Sequence, residues 1–167
     1  MDKIKIVELD RNLIEKAEKL ISKIFPSRSL PERLSLWVYR HREKWYAKLL
    51  MKLGGIHSLI KFYAAVNDNG DVYGTTGLYA YKTDAHEAIW LAWFCVDPSK
   101  RGQGIGTKLI KYSIDEARKH NKKYFRLYTS TAPGETVAQI LYEKHGFKIK
   151  KQKRKLAYTI IYRELAL

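Results

Sequence analysis

Cysteine is nearly absent from the chain. Cys95 stands alone, which excludes an internal disulfide and fits a reducing cytosol. No apolar run approaches the roughly 18–20 residues that a membrane-spanning helix needs. Met1-Asp2-Lys3-Ile4 lacks the apolar core of a signal peptide. A cytoplasmic protein without a membrane partner is therefore expected. Five histidines and one cysteine show no metal-ligand spacing, so no metal is expected either. Nothing repeats, and no Gly/Ser-rich or Pro-rich linker divides the sequence, so residues 1–167 are expected to form a single domain. Acidic residues are scarce as well: 17 Asp and Glu stand against 32 Lys and Arg, a net charge of +15. Such a surplus attracts nucleic acid, acidic proteins or phosphate-bearing cofactors, or it is only a solvated lysine-rich surface.

With 46% hydrophobic and 29% charged residues, the chain is globular, neither disordered nor fibrous. Ile4 to Leu9 alternates as a short strand. Asp10 can cap a helix in which Leu13, Ala17, Leu20, Ile21 and Ile24 recur at helical spacing. Phe25-Pro26-Ser27 stops it, and Ser29 and Pro31 open a second helix. Leu34, Val38, His41, Trp45 and Leu49 share one stripe of this helix, which Gly54-Gly55 ends. The period then changes to two. Leu59–Val66 and Val72–Tyr81 read as strands joined by the turn at 67–71. Ala88–Val96 is nearly continuous in apolar residues, the mark of burial on both faces. A helix over about 104–120, a strand over 123–128, a helix over about 134–144 and strands near 147–151 and 156–162 complete the order. The expected fold class is α/β, a mixed sheet of about seven strands flanked by about four helices.

The chemistry concentrates between Val96 and Thr107. A buried strand stops at Asp97-Pro98, and Lys100-Arg101-Gly102-Gln103-Gly104-Ile105-Gly106-Thr107 turns into an amphipathic helix. Glycines let successive backbone N–H groups converge on an anion, and a helix N-terminus favours negative charge. The dinucleotide fingerprint G-x-G-x-x-G fails, because Thr107 stands where its third glycine belongs. The nucleotide-triphosphate loop fails too, since no glycine here precedes Lys and then Ser or Thr.

R-x-x-G-x-G does match, at Arg101, Gly104 and Gly106. A second segment, Ala138-Gln139-Ile140-Leu141-Tyr142-Glu143-Lys144-His145-Gly146-Phe147, follows at a fitting distance. Together these resemble the GNAT superfamily of acyl-CoA N-acyltransferases, most closely over about residues 72–150. The resemblance implies the GNAT fold and acetyl-CoA as cosubstrate. It implies cofactor contacts from Phe94, Cys95, Val96, Arg101, Gly102, Gln103, Gly104, Ile105, Gly106, Thr107, Thr131, Ala138 and Tyr142. The strand end Phe94-Cys95-Val96 would splay from its neighbour and pair with pantetheine, its free amides facing the thioester oxygen. Many members carry Asn where this chain has Glu135, which leaves Ser130 or Thr131 to replace that contact, or no contact at all.

Tyr142 holds the family's general-acid position. A thiol titrates near 8.5 and tyrosine near 10, so full protonation of the leaving thiolate is uphill by about 2 kcal/mol. Hydrogen-bond donation is the more economical role. Glu87, in the turn with Asp84 and His86, is the candidate base; a water chain or a partly neutral acceptor would replace it. Cys95, inside an apolar strand, should have a raised thiol pKa and pack inertly. His41 reads as a hydrogen-bonded core residue. Tyr79 and Tyr81 either line an acceptor pocket with Trp37 or Trp45 or pack in the core.

The expected partner is a small-molecule or peptide amine, and a homodimer is left open. The positive charge argues against cationic acceptors unless Glu32, Glu43, Asp84 and Glu87 form a local acidic pocket. A protein or peptide acetyltransferase with a basic surface for an acidic or RNA-associated partner is one alternative. A non-catalytic nucleic-acid-binding module is the other. Its basis would be Lys148, Lys150, Lys151, Lys153, Arg154 and Lys155, but that run has no interleaved aromatics and a solvated hairpin accounts for it. Nucleic acid is therefore not the expected partner.

Overall fold

The computed structural model describes residues 3–26 and 30–167. Strand β1 (Lys5–Glu8) leads to Asp10, whose carboxylate accepts the N–H groups of Asn12 and Leu13 at 2.9 and 2.8 Å and so starts α1 (Arg11–Ile24). Helix α1 buries Ile14, Ala17, Leu20 and Ile21. The stop expected at Ser27 and the start expected at Ser29 lie outside the described residues.

The single long helix expected next is two, α2 (Leu30–Arg40) and α3 (Trp45–Leu53). Leu36 and Tyr39 point into the core, and the chain turns at 41–44, where Lys44 N–H donates to the His41 carbonyl at 2.8 Å. Trp37 closes the corner against His41 and Tyr46, with centroids 4.5 and 5.7 Å apart, and the Arg42 guanidinium sits 4.4 Å over the Tyr39 ring. The expected apolar stripe is consequently not the buried one. Val38 is buried, but Trp45 is 74% exposed and Leu49 47%.

Strands β2 (Ile56–Val66), β3 (Val72–Tyr81) and β4 (Ala88–Val96) form an antiparallel meander. A 3-10 turn (Pro98–Lys100) precedes α4 (Ile105–Arg118), which returns the chain to β5 (Tyr124–Ser130), parallel to β4. A second 3-10 turn (Pro133–Glu135), α5 (Thr136–Lys144), β6 (Lys148–Arg154) and β7 (Thr159–Ala166) follow. The sheet order is β1-β2-β3-β4-β5-β7-β6. One face carries α1 and α2 over Phe62, Ala64 and Val66. The other carries α4 and α5 over Leu78, Ile89, Phe125 and Leu127. Among the described residues the seven strands agree with the expected fold class, and the broken second helix raises the helices to five. No helix among the described residues is long and apolar enough to cross a membrane.

Candidate active site

Strand β4 behaves as two pieces. Its first half, Ala88–Trp90, pairs in parallel with Tyr124–Arg126 of β5; beyond Trp90 that pairing stops. The second half keeps β3 on one edge only. On that edge Gly77 faces Ala92 while Thr75 faces Cys95, so three steps on β4 answer two on β3. The extra residue is a bulge centred on Trp93, which takes a left-handed φ of 47°. Such a conformation costs a non-glycine residue about 1–3 kcal/mol and persists only when its surroundings impose it. Here the Thr75 hydroxyl donates to the Trp93 carbonyl at 2.6 Å, and the Trp93 indole donates to Ser35 at 2.8 Å. The bulge also inverts side-chain alternation. Leu91 and Phe94 pack toward α4 and α5, whereas Cys95 joins the α1 side.

The gap opened between β4 and β5 is a cavity of about 1210 Å³. Leu91, Ala92, Trp93 and Phe94 line it from β4, and Leu127, Tyr128, Thr129 and Ser130 from β5. Arg101, Glu135 and Tyr142 reach it from the loops and α5; side chains of α2 and α3 close the opposite wall.

After β4 the backbone turns through a glycine-rich loop into α4. Asp97 accepts from Ser99 N–H at 2.9 Å and from the Lys23 ammonium at 3.1 Å, which holds the strand exit. Gly102 and Gly104 take φ of 76° and 77°, a region that disfavours a side chain, and a Cβ built on either would meet nothing within 4 Å. The first helical bond of α4 runs from Lys108 N–H to the Gly104 carbonyl at 3.0 Å. Among the described residues, the amides from Gly102 to Thr107 find no backbone acceptor. Gln103 is exposed, as Gly102 and Gly104 are, whereas the Ile105 side chain is in the core and contributes only its amide. A Cβ built on Gly106 would lie 3.4 Å from Leu141 and within 4 Å of Val96 and Phe94, so the glycine lets α4 sit close to α5 and the end of β4.

Tyr142 is 5% exposed, its ring 5.6 Å from Phe94 and 5.9 Å from Phe147. Its hydroxyl has no hydrogen-bond partner among the described residues. Burial, aided by the nearby Glu135 charge, pushes its pKa far above the ordinary tyrosine value. The group therefore stays protonated. Glu135 itself is clamped: Thr129 Oγ1, Ser130 N and Ser130 Oγ donate to its carboxylate at 2.6, 2.9 and 2.5 Å. No sequence periodicity announces this clamp, because it joins a strand end to a turn five residues on.

Several expected residues sit elsewhere. Glu87 does not line the cavity; its carboxylate accepts from the Arg126 guanidinium at 2.7 Å, which lowers its pKa. Arg126, buried and without a signal in the sequence, also holds Asp84 and Glu164 at 2.6 Å each. Glu43 is drawn to Arg42. The acidic group of Glu32, Glu43, Asp84 and Glu87 is thus dispersed, and only Glu32 lines the cavity. The Thr131 hydroxyl accepts from Thr159 N–H at 2.9 Å and ties β5 to β7 instead of facing the gap. Cys95 is buried against Thr75, its thiol pushed up to about 11 by desolvation. Ala138 packs with the core beneath Tyr142. Tyr79 and Tyr81 do line the cavity, but Trp37 and Trp45 do not. His41 Nδ1 lies 2.9 Å from the Trp37 carbonyl. Among the described residues, no group of three His, Cys, Asp or Glu could hold a metal ion.

A family model described as an acetyltransferase (GNAT) domain matches residues 58–149, more than half of the chain. The chain belongs to the GNAT acetyltransferase family. It is 31% identical over 101 residues to the Xenopus tropicalis protein named Probable N-acetyltransferase 14. That match takes in 60% of this chain and 47% of the relative, so the GNAT chain aligns with about half the length of its curated relative. A GNAT-family acetyltransferase from Staphylococcus aureus Mu50 superposes with a TM-score of 0.71 at 22% identity, covering 98% of this chain and 99% of that one. The ribosomal-protein-S18-alanine N-acetyltransferase of Escherichia coli gives 0.69 at 16%, covering 98% and 94%. An aminoglycoside 6'-N-acetyltransferase complexed with coenzyme A gives 0.68 at 19%, covering 97% and 96%. At these identities the structural likeness is one of fold.

Proposed function

We propose that this GNAT chain transfers an acetyl group from acetyl-CoA to the primary amine of a small molecule or peptide. The observation that carries the reading is the parting of β4 from β5 beside a loop of unbonded amides, with Tyr142 facing the gap. The open, left-handed Gly102 and Gly104 leave room for a pyrophosphate, and Arg101 and the α4 N-terminus supply matching charge. When bound, acetyl-CoA supplies a thioester whose carbonyl carbon accepts the amine.

The chain's own residues then divide the work. On the side away from β3, residues 91–96 offer an edge with no partner strand among the described residues, where an amide-bearing arm adds as a further strand. Amides on that edge stabilise charge developing on the carbonyl oxygen. Tyr142 keeps its proton and donates a hydrogen bond to the departing sulfur. Glu135 is saturated by Thr129 and Ser130 and holds the β5 end in shape. With Glu87 held by Arg126, the acceptor arrives neutral or loses its proton through water. A reducing cytosol suits a chain whose one cysteine is buried.

The test is thermal. Acetyl-CoA at about 100 times its dissociation constant should add about 2.7 kcal/mol of stability. ATP or NADH at equal concentration should add little, and equal shifts from ATP would reduce the loop to a general polyanion surface.

A further inference from the structure

Every residue of the edge strand β6 is exposed, and five of its seven are cationic. In strict alternation these cations would divide between the two faces of the sheet. A bulge prevents this. Lys148 lies opposite Glu164, Ile149 opposite Arg163, Lys151 opposite Tyr162 and Lys153 opposite Ile160, with Lys150 the extra residue. Residues paired across strands share a face. Lys148, Lys151 and Lys153 therefore stand on the face of Ile160, Tyr162 and Glu164, and Lys150 joins them with its ammonium 2.7 Å from Glu164. That face continues a wall of the cavity. Ile160 and Tyr128 line the cavity, and the Tyr128 ring lies 6.3 Å from that of Tyr162. Beyond Tyr162 a second hollow of about 390 Å³ is lined by Trp90, Arg126, Lys150 and Lys151. The carboxylates beside this hollow are already engaged: Arg126 holds Asp84, Glu87 and Glu164, and Lys150 shares Glu164. Lys148, Lys151 and Lys153 make no hydrogen bond or ion pair with a described residue.

We infer that the acceptor is a peptide or protein amine followed, about three to five residues on, by acidic side chains that Lys148, Lys151 and Lys153 engage. This rests on the acetyl-transfer reading above and narrows its acceptor. Three like charges on one face repel one another, and an anionic partner relieves that repulsion. The sheet order sets the spacing. Two strand intervals of about 4.8 Å separate β5, at the edge of the gap, from β6. An extended chain crosses that span of about 10 Å in about three residues. The amine then lies in the gap while the acidic residues lie over β6. Tyr128 and Tyr162, between the two, offer ring faces to the intervening side chains. A single-stranded nucleic acid would meet the same lysines and rings, but its phosphodiester backbone brings no amine to the thioester. An acidic peptide uses both the gap and the lysine face.

The experiment uses the full chain with saturating acetyl-CoA and reads released thiol. Decapeptides with a free N-terminal amine differ only at their fourth and fifth residues, which are glutamates, glutamines or lysines; one more carries the glutamates at its far end. The first glutamate peptide should exceed the glutamine peptide about tenfold in kcat/KM, mainly through KM, and the lysine peptide by more. In about 1 M salt the advantage should shrink to about twofold, because the lysines are exposed. Moving the glutamates to the far end should remove most of it. Changing Lys148, Lys151 and Lys153 together to Gln should bring the glutamate and glutamine peptides within about twofold of each other. The double variant K151E/K153E should turn the preference toward the lysine peptide. An unchanged acetyl-CoA thermal shift verifies the fold of both variants. If acetyl-CoA gives no thermal shift in the parent chain, the acetyl-transfer reading fails and this inference with it. If acetyl-CoA binds but no peptide reacts, if the glutamate peptide has no advantage, or if its advantage survives loss of the three lysines, the inference alone is overturned. Single-stranded RNA that binds at physiological salt and is lost in the triple variant, with no advantage for the glutamate peptide, would assign the lysines to nucleic acid and overturn it as well.

Discussion

Replacing Tyr142 with Phe isolates one hydroxyl. The ring contacts with Phe94 and Phe147, at 5.6 and 5.9 Å, survive the change. No described partner loses a hydrogen bond, because the hydroxyl has none. Stability should therefore hold within about 1 kcal/mol, whereas Tyr142→Ala, which empties a buried aromatic site, should lose about 3–5 kcal/mol. The chemical consequence is separate. Burial raises the phenol pKa, so complete proton transfer to a thiolate is uphill by more than the roughly 2 kcal/mol of the unperturbed pair. Hydrogen-bond donation to the sulfur remains, and the low end of general-acid effects applies: kcat should fall about 10²-fold. The KM for acetyl-CoA should barely move. Steady-state kinetics with a series of acyl thioesters would check the assignment, because a more acidic leaving thiol needs less help. Full activity in the Phe variant, or a deficit that ignores the leaving group, would return Tyr142 to a packed aromatic.

Gly104→Asp should abolish acetyl-CoA binding in a thermal-shift titration, and Gly104→Ala should cost about 1–2 kcal/mol through its left-handed φ; unchanged affinity in a folded Asp variant would make the loop a mere connection. Burial raises the pKa of Tyr39, Tyr63, Tyr79 and Tyr142. Their contribution to stability is therefore fully present below the ordinary value of about 10 and is lost as the pH rises above it. Tyrosinate absorbance should rise together with loss of far-UV dichroism; ionisation of these groups in a folded protein near pH 10 would contradict the burial. Changing Lys151, Lys153 and Lys155 to Gln on the exposed β6 and its turn should leave stability within about 0.5 kcal/mol, measured by urea unfolding. Duplex binding that survives physiological salt and collapses in that variant would favour the nucleic-acid alternative instead.

The elements legible in the sequence were those with a short-range cause. Asp10 caps α1 because its carboxylate reaches amides two and three residues away, a relation that spacing alone specifies. The strand-to-helix loop is equally local, since Gly102 and Gly104 sit where the backbone turns left-handed. Tertiary structure decided the rest. Spacing made 31–53 one helix, but burial of Leu36 and Tyr39 turned the chain at 41–44 and left Trp45 outside. An apolar run announced β4, yet only the packing of Thr75 and Ser35 around Trp93 determined the bulge that opens the cavity. Charge partners were the least legible of all. Glu87 looked available as a base because Arg126 lies 39 residues away, and the contacts of Glu135 were open because Thr129 and Ser130 reach it only once the end of β5 folds against its turn. A side chain's neighbours along the chain are given by sequence; its neighbours across a sheet, which set its charge and its freedom to react, exist only after folding.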